Sequence, residues 1–139
     1  MQDGLLRVAN LLPDDSAVPL TDAMTDVLAE RRRQVKAEGW TPEHDDEHDG
    51  DEMAIAAACY ALPEHVHKFR RQSDERSSER GLSDPDDIIT RKVPKLWPET
   101  WACWWWKPKS RRIDLVRAAA LLIAEIERLD RMNTRNSAS

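Results

Sequence analysis

The most constraining feature of this sequence is a tryptophan segment, residues 97–112, because five of the chain's six tryptophans fall between Trp97 and Trp106. Residues 93–108 also contain three prolines, which lack a backbone N–H and interrupt a regular helix. The indoles must therefore be carried by an irregular stretch of chain. With a single Tyr and a single Phe elsewhere, these tryptophans supply most of the aromatic surface.

Outside this segment the patterns are helical. Thr21 is a good N-cap for a first helix that Gly39 ends. An alanine-rich helix is predicted for residues 51–62. Ser110 is the predicted cap of a last helix that runs to about Met132 with two adjoining apolar rows, and it therefore lies at the centre of the fold. We predict an all-α protein, a small helical bundle with the irregular tryptophan segment packed on it.

The length of 139 residues allows one domain with one modest core. We predict this all-α domain at residues 20–132. Residues 1–19 contain prolines and an acidic pair and are predicted to be a flexible leader. Residues 64–92 are rich in charges and poor in apolar groups, so we predict a charged loop insertion there. Residues 133–139 are predicted to be a disordered tail.

Composition predicts a soluble cytoplasmic protein. The net charge of −5 argues against a general affinity for nucleic acid. Cys59 and Cys103 have no C-x-x-C spacing, and the chain begins without a secretion signal, so both are expected to be reduced thiols. No apolar stretch reaches the ~18 residues that span a membrane. We therefore expect no membrane partner.

An acidic histidine cluster occupies residues 43–52. His44, Glu47 and His48 match H-x-x-E-H, a motif in which both histidines bind zinc and the glutamate acts on zinc-bound water. A proline and a glycine bracket this short polar segment, so a solvated acidic connector is the plainer interpretation. A third interpretation is a divalent-ion site with oxygen ligands, because Asp and Glu dominate and suit magnesium or manganese.

The tryptophan segment combines stackable rings with cations. Indoles stack on nucleobases, and each stacked base contributes ~1–3 kcal/mol. The lysines and arginines beside them approach a helix N-terminus, whose free N–H groups suit phosphate. Indoles also fill cores, and we expect Trp97 and Trp101 to do so. The residues that we assign to a ligand site are Trp104, Trp105, Trp106, Lys107, Lys109, Arg111 and, from the first helix, Arg31.

Several motifs together resemble a family of small phage and prophage proteins. In the first half these are Ala29-Glu-Arg-Arg-Arg-Gln34, Gly39-Trp-Thr-Pro-Glu-His-Asp-Asp-Glu-His48 and Ala58-Cys-Tyr-Ala61. Near the C-terminus they are Trp105-Trp-Lys-Pro108, Arg111-Arg-Ile-Asp-Leu-Val116 and Ala124-Glu-Ile-Glu-Arg-Leu-Asp-Arg131. The resemblance covers about two-thirds of the chain. It implies a phage-encoded protein that acts in the cytoplasm of its host.

The helix order is more distantly similar to that of the all-α MazG-like nucleotide pyrophosphohydrolases. That resemblance implies magnesium held by an E-x-x-E pair on one helix and an E-x-x-D pair on another. Glu52 and Asp114 match one position of each pair, whereas Ile55 and Arg111 occupy the partner positions. Two carboxylates hold magnesium weakly, so further ligands from the acidic cluster, Asp45 among them, would be needed.

Three hypotheses follow from these residues. The first is a phage-encoded, oligomeric protein that binds a nucleotide without hydrolysing it and sequesters a signalling nucleotide of host defence. The second is a divergent magnesium-dependent nucleotide diphosphohydrolase with Asp45, Glu52 and Asp114 as metal ligands. The third is an inhibitor of a host nuclease or defence protein that acts through the acidic surface of residues 43–52. The incomplete ligand pairs favour binding over catalysis.

Overall fold

The computed structural model describes residues 19–73 and 88–138. These residues form four α-helices, one two-stranded antiparallel sheet and a short 3₁₀ helix. In chain order the elements are α1 (Asp22–Ala37), α2 (Pro42–Asp46), α3 (Glu52–Ala61), β1 (His67–Ser73), β2 (Ile88–Pro94), the 3₁₀ helix (Cys103–Trp105) and α4 (Arg111–Ala138). The predicted leader, apart from its last residue, lies outside the described residues.

The helix starts follow the sequence signals. The side-chain oxygen of Thr21 accepts a 3.2 Å hydrogen bond from the first turn of α1, and that of Thr41 accepts one from the N–H of His44 at 3.3 Å. Between these caps, Gly39 has φ +73°, a left-handed conformation that glycine adopts without strain, and α1 ends there. This break turns the chain so that Trp40 is buried between α1 and α2.

α4 is the central helix. α3 packs along it most extensively, α1 lies beside it, and α2 contacts it as well. The contact between α3 and α4 is built from small side chains, which include the buried Ala56, Ala57, Ala118 and Ala124. Alanines allow two helices to approach closely, and the space around this seam is filled by indole rings from the tryptophan segment.

The prediction of an all-α fold is wrong. β1 and β2 pair as an antiparallel hairpin whose register joins His67 to Pro94 and Ser73 to Ile88. Both strands come largely from the segment that we predicted to be a charged loop insertion. The protein is therefore helix-dominated with a small sheet, and the hairpin packs through β2 near the 3₁₀ helix.

β1 escaped prediction because its inward side chains are polar, although Ile89 and Val93 of β2 face inward. Alternate residues of β1, namely Lys68, Arg70 and Gln72, are half-buried, while the apolar Phe69 points outward and is exposed. Arg70 donates to the backbone carbonyls of residues 98 and 99, and Lys68 pairs with Glu99. Long polar side chains thus attach β1 to the tryptophan segment, so the apolar alternation that identifies most strands is missing.

The last helix is longer than predicted. α4 continues to Ala138, through most of the residues that we predicted to be a tail.

None of the helices in residues 19–73 and 88–138 combines the length and hydropathy that crossing a membrane requires.

Candidate functional site

A cleft of about 590 Å³ opens between the end of α1 and the 3₁₀ helix. We call it the tryptophan cleft, because indoles form its walls and a lysine lies at its edge. Its lining residues are Ala37, Glu38, Trp40, His44, Trp104, Trp105 and Lys107. The volume falls within the range of about 300–1,000 Å³ that is typical of small-molecule sites.

The walls of the cleft are held from two sides. The hydroxyl of Tyr60 on α3 donates to the carbonyl of Trp105 and accepts from the N–H of Lys107, both at 3.1 Å. On the other side, Oε1 of Gln72 on β1 accepts from the N–H of Cys103 at 2.9 Å. The cleft residues of the irregular segment are therefore fixed by hydrogen bonds to a helix and a strand, which preorganises them for a ligand.

Unpartnered polar atoms lie behind the cleft. A cavity of about 30 Å³ shares Glu38, Trp40, Trp105 and Lys107 with the tryptophan cleft and also reaches Gln34 and Trp101. Oε1 of Gln34 and Nε1 of Trp101 are buried and have no hydrogen-bond partner. A cavity of about 30 Å³ has room for one water molecule and not for a nucleobase.

The predicted tryptophans are mostly buried. Trp97, Trp101, Trp104 and Trp106 all belong to the core, and Trp106 packs on Tyr60 with ring centroids 4.7 Å apart. Trp104 and Trp105 both line the tryptophan cleft, and Trp105 is the more exposed of the two. Of the three indoles that we assigned to a ligand site, the structure therefore brings two to the cleft.

Only some of the predicted cations reach the cleft. Lys107 is exposed and lines it. Lys109 and Arg111 are exposed at the N-terminus of α4, where the carboxylate of Asp114 accepts from the N–H of Lys109 at 2.8 Å. Neither residue lines the cleft.

Arg31 lies inside a network of ion pairs. Its Nη2 is 2.8 Å from Oδ2 of Asp45, its Nε is 3.0 Å from Glu127, and its Nη1 donates to the carbonyl of Trp40 at 3.4 Å. These contacts join α1, α2 and α4. Burial raises the pKa of Asp45, and the adjacent Arg31 guanidinium opposes that rise. The structure thus uses Arg31 to neutralise a buried carboxylate and to hold the loop that carries Trp40.

His44, His48 and Glu52 form a chain of contacts beside the cleft. Nδ1 of His48 is 2.7 Å from Oε2 of Glu52, and the Nε2 atoms of the two histidines are 3.4 Å apart. Glu52 also accepts from the N–H of Gly50, where a Cβ would stand only 2.8 Å from its Oε1. Glycine at position 50 therefore leaves room for the carboxylate that orients His48.

The predicted metal ligands are not adjacent. Asp45 pairs with Arg31, Glu52 contacts His48, and Asp114 caps the start of α4. α3 and α4 run antiparallel, with Tyr60 near the start of α4, so Glu52 and Asp114 lie toward opposite ends of this helix pair. Within residues 19–73 and 88–138, no three His, Cys, Asp or Glu side chains are grouped so that they could hold a metal ion.

Three residues of the site were missed from the sequence. Trp40 lies outside the tryptophan segment, and Ala37 and Glu38 look like ordinary surface positions at the end of a helix. The available signal was the helix stop at Gly39 followed by the helix start at Thr41, which together force Trp40 into a corner.

Comparisons of the chain with protein-family models, with curated proteins and with solved structures find no match.

Proposed function

We propose that this protein binds a phosphorylated nucleotide in the tryptophan cleft and holds it without hydrolysis. The observation that carries the proposal is the pairing of indole walls, Trp40, Trp104 and Trp105, with the exposed ammonium of Lys107 at one edge. Indole faces suit a planar base, and an ammonium group suits a phosphate.

The charges around the cleft are compatible with an anion. Glu38 is the carboxylate in the lining, and it is paired with Arg33 at 3.1 Å. That pairing offsets the negative charge that would otherwise repel a phosphate. Lys107 and His44 remain as the basic side chains of the lining.

The engaged carboxylates support binding rather than hydrolysis. Asp45 and Glu52 contact basic side chains of the protein, and Asp114 accepts a backbone N–H. Magnesium-dependent hydrolysis needs carboxylates that converge on the metal. Together with the resemblance to phage proteins, this supports a role in sequestering a nucleotide, including a signalling nucleotide of host defence.

Calorimetry tests the proposal with nucleoside mono- and triphosphates, a cyclic dinucleotide and ADP-ribose, each beside its unphosphorylated nucleoside. We expect at least one nucleotide to bind and to change tryptophan fluorescence. Lys107→Ala should weaken that binding about 10-fold or more, the scale of a charged hydrogen bond, and leave nucleoside binding unchanged. Lys95→Ala is the matched control, because Lys95 is an exposed lysine that does not line the cleft.

A second variant tests stacking on the indoles. Trp105→Leu removes the most exposed of the three cleft indoles, so we expect the binding of both nucleotide and nucleoside to weaken by about 5-fold or more. Absence of binding across the panel contradicts the proposal, as does equal nucleotide affinity in Lys107→Ala and Lys95→Ala.

A further inference from the structure

The two histidines beside the tryptophan cleft are arranged as a pair of metal ligands. The Nε2 atoms of His44 and His48 face each other at 3.4 Å. Two nitrogens bound at ~2.05 Å to a tetrahedral zinc ion lie ~3.3 Å apart, and N–H hydrogen bonds in proteins are mostly about 2.7–3.2 Å long. The contact between the two histidines is therefore long for a hydrogen bond, and its length matches that of two nitrogens on one metal ion.

Each histidine also has a carboxylate on its other side. Nδ1 of His48 donates to Glu52 at 2.7 Å, because a carboxylate oxygen only accepts. Nδ1 of His44 lies 3.7 Å from Oδ1 of Asp45. A carboxylate behind each ligating imidazole is the usual outer contact of a metal site, since it fixes the ring and leaves a lone pair on Nε2 for the metal.

The buried polar atoms of this cluster favour a positive charge between the rings. Nδ1 of His44 and Oδ1 of Asp45 are both buried and have no hydrogen-bond partner, and the Asp45 side chain is 0% exposed. A proton on Nδ1 of His44 would point toward Oδ1 of Asp45 and give both buried atoms a polar partner. With Nδ1 protonated on both rings, two Nε2 lone pairs would then face each other, which is repulsive unless a cation lies between them.

We propose that His44 and His48 bind a divalent transition-metal ion, zinc in the first instance, through their Nε2 atoms. Imidazole nitrogen suits zinc, copper and nickel, whereas magnesium prefers oxygen. The chain supplies two ligands, and His44 lines the tryptophan cleft, so water or a cleft ligand completes the coordination. Glu52 and Asp45 act as positioning residues. This site does not depend on the proposed nucleotide, because both ligands belong to the protein.

The experiment titrates the metal-free full chain with Zn²⁺ by calorimetry, and with Cu²⁺ by quenching of tryptophan fluorescence, in the absence of nucleotide. The rings of Trp101 and Trp105 lie 5.6 and 6.4 Å from that of His48, so bound copper should quench them strongly. We expect one equivalent of Zn²⁺ to bind. His48→Asn should abolish binding, because asparagine keeps a donor for Glu52 but lacks the nitrogen that would ligate the metal.

Two further variants separate this site from other histidines. Glu52→Gln should weaken Zn²⁺ binding by about 10- to 100-fold, the usual effect of losing an outer carboxylate. His67→Asn is the matched control, since His67 is exposed on β1 beside His65, with ring centroids 5.6 Å apart. It should leave the affinity unchanged. Circular dichroism checks that each variant is folded.

The contrary outcomes are equally definite. If wild type binds no Zn²⁺, or if His48→Asn binds it as tightly as wild type, the proposal is overturned. Loss of binding in His67→Asn alone would assign the metal to the other histidine pair and overturn it too. A fluorescence change that follows pH but not Zn²⁺ would assign a shared proton to the pair instead. These outcomes are distinguishable from those of the nucleotide titrations, because the metal titrations contain no nucleotide.

Discussion

Arg31 and Asp45 form an ion pair of 2.8 Å between α1 and α2, in which the Asp45 side chain is 0% exposed and that of Arg31 is 11% exposed. The pair lies directly behind His44 and beneath the carbonyl of Trp40. It therefore fixes both the wall of the tryptophan cleft and one of the two histidines. Glu127 adds a third, more exposed charge to the same guanidinium.

The first prediction concerns this pair. Asp45→Ala should lower the free energy of unfolding by about 3 kcal/mol or more, because it leaves the guanidinium of Arg31 largely buried without its close partner. Urea unfolding followed by tryptophan fluorescence measures the change. Glu127→Ala is the control and should cost under about 1 kcal/mol, since that carboxylate is about half exposed. Equal losses in the two variants would contradict the structural role of Asp45.

The second prediction concerns Gly50. In Gly50→Ala the added Cβ would lie 2.8 Å from Oε1 of Glu52, so the flexible carboxylate should swing away and lose its contact with His48. We expect a loss of about 1–2 kcal/mol in unfolding free energy and a changed imidazole NMR signal for His48.

Gly39→Ala separates the effect of the clash from that of backbone strain. Gly39 has φ +73° and no atom within 4 Å of an added Cβ, so alanine should cost about 1 kcal/mol through conformation alone. The signal of His48 should stay as in wild type. If Gly50→Ala also leaves that signal unchanged, Glu52 does not orient His48 in the way described.

The helices could be predicted from the sequence because their signals are local. Thr21, Gly39 and Thr41 set the ends of α1 and the start of α2 through contacts within a few residues. The hairpin could not be predicted in the same way. β1 is held by polar contacts from Lys68 and Arg70 to residues about thirty positions away, and such contacts leave no periodic pattern in the strand itself.

The site was predictable only in part, for a similar reason. Trp105 and Lys107 stood out because rare aromatic residues and cations adjoin in the sequence. Trp40 and Glu38 join them through the packing of α1 against the tryptophan segment. The helix stop at Gly39 indicated a corner at Trp40 but not the residues on which Trp40 packs. The 3.4 Å approach of the Nε2 atoms of His44 and His48 follows from the turn after α2, so the motif drew attention to the two histidines but not to how their rings meet.

The third prediction is a pH dependence of stability through Asp46. Hydrogen bonds from Arg131 and then Arg135 lower the pKa of Asp46 in the folded state. A carboxylate with a lowered folded pKa stabilises the protein above its unfolded pKa of about 3.9, and this contribution is lost as the pH falls through the folded value. Asp46→Asn should therefore cost about 0.5–1 kcal/mol at pH 7 and little at pH 2.

Unfolding free energies measured at several pH values between these limits check the expected convergence of variant and wild type. Asp49→Asn is the control, because Asp49 is exposed in the same acidic cluster. Its unfolding curve should match that of wild type at each pH. A constant difference between Asp46→Asn and wild type at all pH values would contradict the role of the ionised carboxylate.

The last prediction concerns oligomerisation, which we expected from the sequence. α4 buries Ala118, Leu121 and Ala124, whereas Leu115, Leu122 and Leu129 follow one another at heptad spacing and are exposed among the described residues. An apolar row at this spacing is typical of helices that pair with a second helix. We therefore predict that a second copy of the chain covers this row in solution.

Light scattering coupled to size-exclusion chromatography measures the mass directly. Wild type should elute at about twice the chain mass of 16.0 kDa, and Leu122→Glu should elute at the chain mass, because a charge in the row would have to be buried at the interface. Val66→Glu places the same charge at an exposed apolar position off α4 and should leave the mass unchanged. A wild-type protein that stays monomeric at high concentration would show that this row does not pair copies of the chain.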